Sequence, residues 1–221
     1  VDLEAAAALD IPVLRSLGSN ALAVAEHAIS LMLALLKQFP ALDTAVKGGQ
    51  WPKPSFIGRD IAGARLGLIG FGAIGRETAR LAVALGMDVA VYDPHAAGEI
   101  AAAGLAVADD VEALVSDVDI VSLHCPLTRE TRNIVDAGLI ARMGPQTLIV
   151  NTARGGLIDE AALAAALADG RIAGAGLDSF AAEPPSPDGP LWAAPNLIVT
   201  PHVGGVTKGS AITMAAVSYT H

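Results

Sequence analysis

One cysteine, two tryptophans, two tyrosines and four phenylalanines are all that these 221 residues contain of those types. A single thiol, Cys125, excludes an internal disulfide and a metal site built from cysteines, and no metal is expected. The chain is also poor in positive charge, with 14 Lys and Arg against 23 Asp and Glu. With no basic cluster, nucleic acid and anionic membranes are poor partners. Nor is there a long uncharged apolar run of the roughly 18 residues that a membrane span requires. The richest run, Ala28 to Leu36, is bounded by Glu26, His27 and Lys37. With no signal peptide visible, a cytoplasmic address is expected.

What the chain has in quantity is core. Hydrophobic residues make up 52% and charged residues 17%, enough for one large globular domain or two small ones. The sequence is organised around Leu66 to Asp93. A short apolar run, Leu66 to Ile69, suits a buried parallel strand; Gly70, Gly72 and Gly75 follow with the spacing G-x-G-x-x-G, then a helical pattern to about Gly86 and a second strand from Met87 to Tyr92. Gly70 permits a tight turn, Gly72 leaves room for a pyrophosphate against the backbone, and Gly75 allows helix and strand to pack closely. The phosphates would meet the positive end of the helix dipole. Asp93 closes the second strand 18 residues after Gly75, where a carboxylate accepts from a ribose 2'-hydroxyl and repels a 2'-phosphate, which predicts NAD rather than NADP. Asp93 also reads as an ordinary turn residue before Pro94.

Before this unit, the pattern predicts a short helix from Leu3 to Leu9, a strand around Pro12 to Ser16, and a helix from Asn20 to Phe39 stopped by Pro40. That second helix is apolar around most of its circumference and so needs two packing partners. Gly48 to Arg59 reads as an irregular arm. After Asp93, strands are expected at Asp119 to His124, Thr147 to Thr152, Ile172 to Asp178 and Leu197 to Thr200. Helices fit at Val111 to Val115, Ala137 to Met143, Asp159 to Ala168 and Ser210 to Tyr219. Such alternation implies a doubly wound parallel α/β sheet of Rossmann type, with ligands outside the carboxyl ends of its strands.

Three strand ends offer residues suited to interconverting an alcohol and a ketone beside a nicotinamide. His202 is the side chain poised to exchange a proton near neutral pH. Glu183 is the candidate carboxylate for its second ring nitrogen, and Arg154 could fork onto a substrate carboxylate. Gly204 and Gly205 leave space for a cofactor to approach. Taken singly, each also has an ordinary reading: Arg154 as a surface ion-pair residue, Glu183 as a solvated loop residue, His202 as a satisfied loop histidine. His27, inside the apolar helix, reads as a packed or interface residue, His124 as structural, and Cys125 lacks an activating neighbour.

Together, the stretches SNALAVAEHAISLMLALL, LGLIGFGAIGRETA, VYDP, DIVSLHCPLTRETRNIV, LIVNTARGGLIDEAALAAAL, AGAGLDSFAAEPP and PNLIVTPHVGG resemble the D-isomer-specific 2-hydroxyacid dehydrogenases, a family that includes phosphoglycerate, glycerate and D-lactate dehydrogenases. The resemblance covers nearly the whole chain. It implies an NAD-dependent hydride transfer at C2 of a D-2-hydroxyacid, with Arg154 as substrate-binding arginine, His202 as general acid/base and Glu183 as its partner. It also implies pyrophosphate on the backbone of Ala73 and Ile74, the adenosine ribose on Asp93, and the rest of the cofactor lined by Cys125, Thr152, Ala153, Arg154, Asp178, His202 and Gly205. Related formate dehydrogenases have Gln in place of Glu183, which disfavours that activity. Ser179 departs from the family's usual Val.

Family members are longer and carry a second domain that forms the other wall of the cleft. Residues 1–18 resemble the end of its first part, residues 19–205 the cofactor domain and residues 206–221 the return to the second domain. A chain so truncated is expected to bind NADH, to turn over 2-keto acids poorly, and to form a homodimer through the apolar helix and the Trp51 arm. The same family includes NAD-binding transcriptional corepressors, so a non-catalytic dimerisation module is the alternative.

Overall fold

The computed structural model describes residues 2–11, 13 and 18–219. Helix α1 (Leu3–Ala8) is capped by the Asp2 carboxylate, which accepts from the Glu4 and Ala5 amides. The strand expected around Pro12 to Ser16 lies outside the described residues, Val13 excepted. Helix α2 (Ala21–Leu36) follows. Pro40, expected to stop it, instead sits in the first turn of a further helix, α3 (Phe39–Lys47), after a break at Gln38, whose φ is 52°. Proline is well placed there, because the first turn of a helix has no use for the missing amide hydrogen. No single helix among the described residues is long and apolar enough to cross a membrane.

The arm from Gly48 to Arg59 contains no helix or strand and leads into β1 (Arg65–Ile69). Then come α4 (Ala73–Ala84), β2 (Asp88–Tyr92), α5 (Ala97–Ala102), β3 (Ala106–Val107), α6 (Val111–Ser116) and β4 (Ile120–Leu123). The second half runs α7 (Ala137–Ile140), β5 (Leu148–Asn151), α8 (Glu160–Ala168), β6 (Gly174–Leu177), β7 (Leu197–Val199) and α9 (Lys208–Tyr219). The seven strands form one sheet in the order β3-β2-β1-β4-β5-β6-β7, and every neighbouring pair is parallel.

Alternation along the strands builds two cores. Ile120, Leu148 and Val150 join Leu66 and Leu68 on the face covered by α2 and α4. Val121, Leu123 and Ile149 point to the opposite face, with Leu139, Leu157 and Leu163. Successive strand residues point to opposite faces, so a sheet covered on both sides must be apolar at nearly every position; β4 and β5 are buried throughout. Helix α2 buries most of its wide apolar surface within this chain, packing on α4 and across β5 and β6, with Leu22 left 47% exposed near its start. Four large apolar residues remain exposed close by: Phe39 at 58%, Val46 at 47%, Trp51 at 71% and Ile57 at 89%.

Candidate functional site

The strand order runs one way from β1 to β3 and the other way from β4 to β7. Loops at the carboxyl ends of β1 and β4 therefore leave in opposite directions, and a crevice opens between them. The two loops meet at Gly70, whose φ is +103°. A methyl built there would lie 2.6 Å from the Cys125 nitrogen and 2.7 Å from the His124 carbonyl carbon, so a residue with a side chain would force the loops apart. A methyl at Gly75 would lie 2.3 Å from the Gly70 oxygen, whereas one at Gly72 meets no atom within 4 Å. Gly70 and Gly75 are thus fixed by packing, and Gly72 faces open space.

Gly72 is the N-cap of α4 and supplies no side chain to its first amides. The Ala73, Ile74 and Gly75 amides of this first turn have no intrahelical acceptor and suit an anion. Asp93 closes the same loop from the next strand, its Oδ2 accepting from the Phe71 amide at 2.8 Å and its Oδ1 from the His95 amide at 2.9 Å. Each carboxylate oxygen retains a lone pair for a further donor. Arg76 is turned aside, paired with Glu99 and lying over the Phe71 ring at 5.0 Å.

Three buried side-chain atoms have no hydrogen-bond partner among the described residues, namely His124 Nδ1, Thr152 Oγ1 and Ser179 Oγ. They stand just beyond β4, β5 and β6, where a bound dinucleotide would offer polar groups. A glycine facing open space, an unpaired helix start, a half-satisfied carboxylate and these unpaired atoms along one edge fit that cofactor. Cys125 is half-buried, its thiol pushed up to about 11 by burial, with the Asp93 charge adding to the effect. Such a thiol is no nucleophile. His124, buried with Nε2 2.9 Å from Ser122 Oγ, is pushed down to about 4 by burial and is neutral at ordinary pH.

The other half of the site lies beyond β5, β6 and β7. Asn151, which the sequence places among the polar residues at the strand ends without a role, is 1% exposed and ties down the turn that carries Arg154. Its Nδ2 donates to the Arg154 carbonyl at 2.9 Å and its Oδ1 accepts from the Ala153 amide at 3.0 Å. Its only signal was a polar residue ending a buried strand. The Arg154 guanidinium is exposed and donates to the Ala153 carbonyl at 2.7 Å. A methyl at Gly155 would sit 1.8 Å from the Phe180 carbonyl carbon, so this turn lies directly against the loop bearing Glu183.

Glu183 and His202, 19 residues apart, are brought into contact: His202 Nδ1 donates to Glu183 Oε2 at 2.7 Å. A carboxylate only accepts, so Nδ1 carries the hydrogen and Nε2 is left for other work. Glu183 Oε1 accepts from the Phe180 amide at 3.0 Å. That bond, followed by the one from His202, holds the carboxyl below its usual range, and the Arg154 charge contributes in the same direction. Among the described residues, Arg154 forms no hydrogen bond or ion pair with either residue. Beside the pair lies a cavity of about 400 Å³ whose walls include Phe180, Pro184, Trp192 and Val199.

Two expected cofactor contacts look different in the structure. Asp178 is 1% exposed and turns both oxygens to the loop beyond β7, accepting from Thr200 Oγ1 at 2.6 Å, the Val203 amide at 2.9 Å and the Gly204 amide at 2.8 Å. At Gly204 and Gly205, where a close cofactor approach is expected, the direction a side chain would take is filled by protein. A methyl at Gly204 would meet Asp178 Oδ2 at 2.9 Å and one at Gly205 would meet Asn20 Nδ2 at 2.6 Å. A buried carboxylate must find donors nearby, and the Thr200 hydroxyl and the loop amides supply them. Ser179 buries a hydroxyl that finds no partner among the described residues.

Residues 29–204 match the family model described as D-isomer specific 2-hydroxyacid dehydrogenase, NAD binding domain. The chain is 37% identical over 217 residues to a D-3-phosphoglycerate dehydrogenase of Archaeoglobus fulgidus, covering 98% of this chain and 41% of that protein. It is 41% identical over 211 residues to an (S)-sulfolactate dehydrogenase of Chromohalobacter salexigens, covering 95% of this chain and 68% of the relative. Among solved structures, D-lactate dehydrogenase with NAD+ from Lactobacillus jensenii superposes with a TM-score of 0.85 at 32% identity, over all of this chain and 70% of that one. The chain thus spans about two fifths of the phosphoglycerate dehydrogenase it matches. It belongs to the D-isomer-specific 2-hydroxyacid dehydrogenase family and holds that family's NAD-binding domain.

Proposed function

We propose that this chain is the cofactor-binding part of an NAD-dependent oxidoreductase acting at C2 of a D-2-hydroxyacid or the matching 2-keto acid. The observation that carries this is the His202–Glu183 pair, bonded at 2.7 Å at the same sheet edge as the glycine loop. Bound NAD supplies the hydride acceptor, or as NADH the donor. His202 Nε2 takes the hydroxyl proton as the alcohol becomes a ketone and returns it in the reverse direction, while Glu183 fixes the ring through Nδ1 and favours the imidazolium. Arg154 holds the substrate carboxylate. Gly70, Gly72, Ala73, Ile74 and Gly75 cradle the pyrophosphate, and Asp93 holds the adenosine ribose. Cys125, Thr152, Ala153, Asp178 and Gly205 flank the nicotinamide end.

Among the described residues the cavity beside His202 is lined without Lys or Arg; on this reading the second domain supplies the other wall of the cleft and with it most of the substrate selectivity. Residues 1–18 and 206–221 belong on this reading to the second domain of a longer protein, and the chain works in the cytoplasm as a homodimer. Exposed Phe39, Trp51 and Ile57 support the dimer, and they equally suit a non-catalytic, corepressor-like module. NADH fluorescence titration, run beside NADH oxidation with glyoxylate, hydroxypyruvate and pyruvate, separates the two. Binding with slow turnover supports the enzyme, binding with none supports the module, and failure to bind NADH refutes both.

A further inference from the structure

We propose that His27 is a positioning residue for His202, acting from α2 through Thr200 and Asp178 on the loop that presents the catalytic imidazole. His27 Nε2 lies 2.9 Å from Thr200 Oγ1. The Thr200 hydroxyl has one hydrogen and donates it to Asp178 Oδ1 at 2.6 Å. Its oxygen must therefore accept from His27, which places a hydrogen on Nε2 of that ring. The same Nε2 is 3.5 Å from Asp178 Oδ1, so His27 faces the carboxylate as well as the hydroxyl.

This chain of bonds grips the His202 loop at both ends. Thr200 stands on its entry side, and the Val203 and Gly204 amides, on its exit side, donate to the two Asp178 oxygens. Between these anchors His202 has a φ of +56°, a left-handed conformation that a residue with a side chain keeps only where its surroundings determine it. A methyl built at Gly204 would lie 3.4 Å from His27 Cδ2, so the ring faces this glycine across the space a side chain would fill. In a helix whose buried residues are Ala, Val, Leu, Ile and Met, the imidazole is the polar group turned to the Asp178–Thr200 pair.

The inference rests on the proposed role of His202, and its test has one readout that does not. His27→Phe keeps a ring against Gly204 and removes the donor; His27→Gln restores a side-chain N–H. Amide hydrogen exchange at Val203 and Gly204 is expected to speed up about tenfold in the Phe variant, as loss of one net hydrogen bond predicts, and to return toward wild type in the Gln variant. The turnover number for 2-keto acid reduction should fall by a similar factor, with KM and NADH affinity within about twofold of wild type, because only the placement of the proton-exchanging group is lost. Thr200→Val cuts the same chain one link further on; combined with His27→Phe it should add little, as expected for partners in one network. Wild-type exchange at both amides in His27→Phe overturns the proposal, as does uniform loss of protection across the sheet without rescue by Gln, which would mark a packing role only. Should His27→Phe fail to fold, His27→Ala decides through the same two amides, with His27→Gln as its rescue. If the chain binds no NADH and turns nothing over, the proposed function fails, and amide exchange still decides whether His27 holds the loop.

Discussion

Gly72 and Gly75 belong to one motif and should fail for opposite reasons when changed to alanine. Gly72 has φ −70° and ψ −166°, an extended conformation open to any residue, and the added methyl meets nothing within 4 Å. Replacing glycine where the backbone tolerates it narrows the unfolded ensemble and stabilises by about 0.4–1 kcal/mol. Alanine is the poorer N-cap, which costs a comparable few tenths to about 1 kcal/mol. The two effects offset, so Gly72→Ala should unfold within about 3 °C of wild type for a chain of this size. Gly75→Ala puts its methyl 2.3 Å from the Gly70 oxygen and 3.1 Å from the Gly70 carbonyl carbon. Both atoms are backbone, in a turn pinned against His124 and Cys125, so relief must come from moving helix or strand. Overpacking of this kind costs about 1–3 kcal/mol or more.

The assays are thermal unfolding and NADH fluorescence titration on the same two variants. For Gly72→Ala we expect a near wild-type melting point and NADH affinity weaker by at least about tenfold, or 1.4 kcal/mol, because the methyl occupies the space a pyrophosphate needs. Gly75→Ala should melt several degrees lower and bind poorly. Wild-type NADH affinity in a folded Gly72→Ala variant would refute the assignment of this loop as the phosphate cradle.

Two further outcomes concern stability alone. His124 is held down to about 4 by burial, against an ordinary value of 6.5, so from pH 6.5 to 4 the unfolded chain binds a proton that the folded chain refuses. Stability from this group is complete above pH 6.5 and falls with pH through that window, by up to about 3 kcal/mol; urea unfolding midpoints of wild type and His124→Gln should converge from pH 7.5 to 4.5. Ser179→Ala removes a buried hydroxyl that has no partner and should raise stability by about 1 kcal/mol, or about 2–4 °C in differential scanning calorimetry. A lowered melting point would show that the hydroxyl is satisfied.

Elements with strong local signals were legible in the sequence. The runs that became β4 and β5 are apolar on both faces, which a parallel sheet covered by helices requires, and their ends came within one residue of expectation. The edge strand β3 escaped notice because its two residues, Ala106 and Val107, are both exposed and carry no burial pattern. Helix α3 was hidden by Pro40, read as a stop although the first turn of a helix accepts it. At the site, the His202–Glu183 contact could be anticipated from chemistry, since an imidazole that exchanges protons needs a carboxylate and Glu183 was the candidate at hand. The bond between His27 and Thr200 spans 173 residues of sequence, and nothing local in either segment announces it. The partners of Asp178 are hidden for the same reason. Its role is set by which loop amides the sheet brings over it, which only the assembled fold decides.

The site depends on one property of the sheet, the reversal of strand order between β1 and β4. On one side, loops after β1 and β2 hold the open glycine, the free amides of α4 and Asp93, groups suited to phosphate and ribose. On the other, loops after β5, β6 and β7 hold Arg154, Glu183 and His202, groups suited to a carboxylate and a proton. The two sets meet where Gly70 touches the His124–Cys125 backbone, so a dinucleotide lying across that contact presents its two ends to chemically different surroundings. The first set is held by backbone packing that tolerates no side chain at Gly70 or Gly75. The second is held by polar side chains: Asn151 on the Arg154 turn, the Phe180 amide on Glu183, and Asp178 on the His202 loop. Substitutions in the first half should therefore show up mainly in NADH affinity and stability, and those in the second half mainly in turnover.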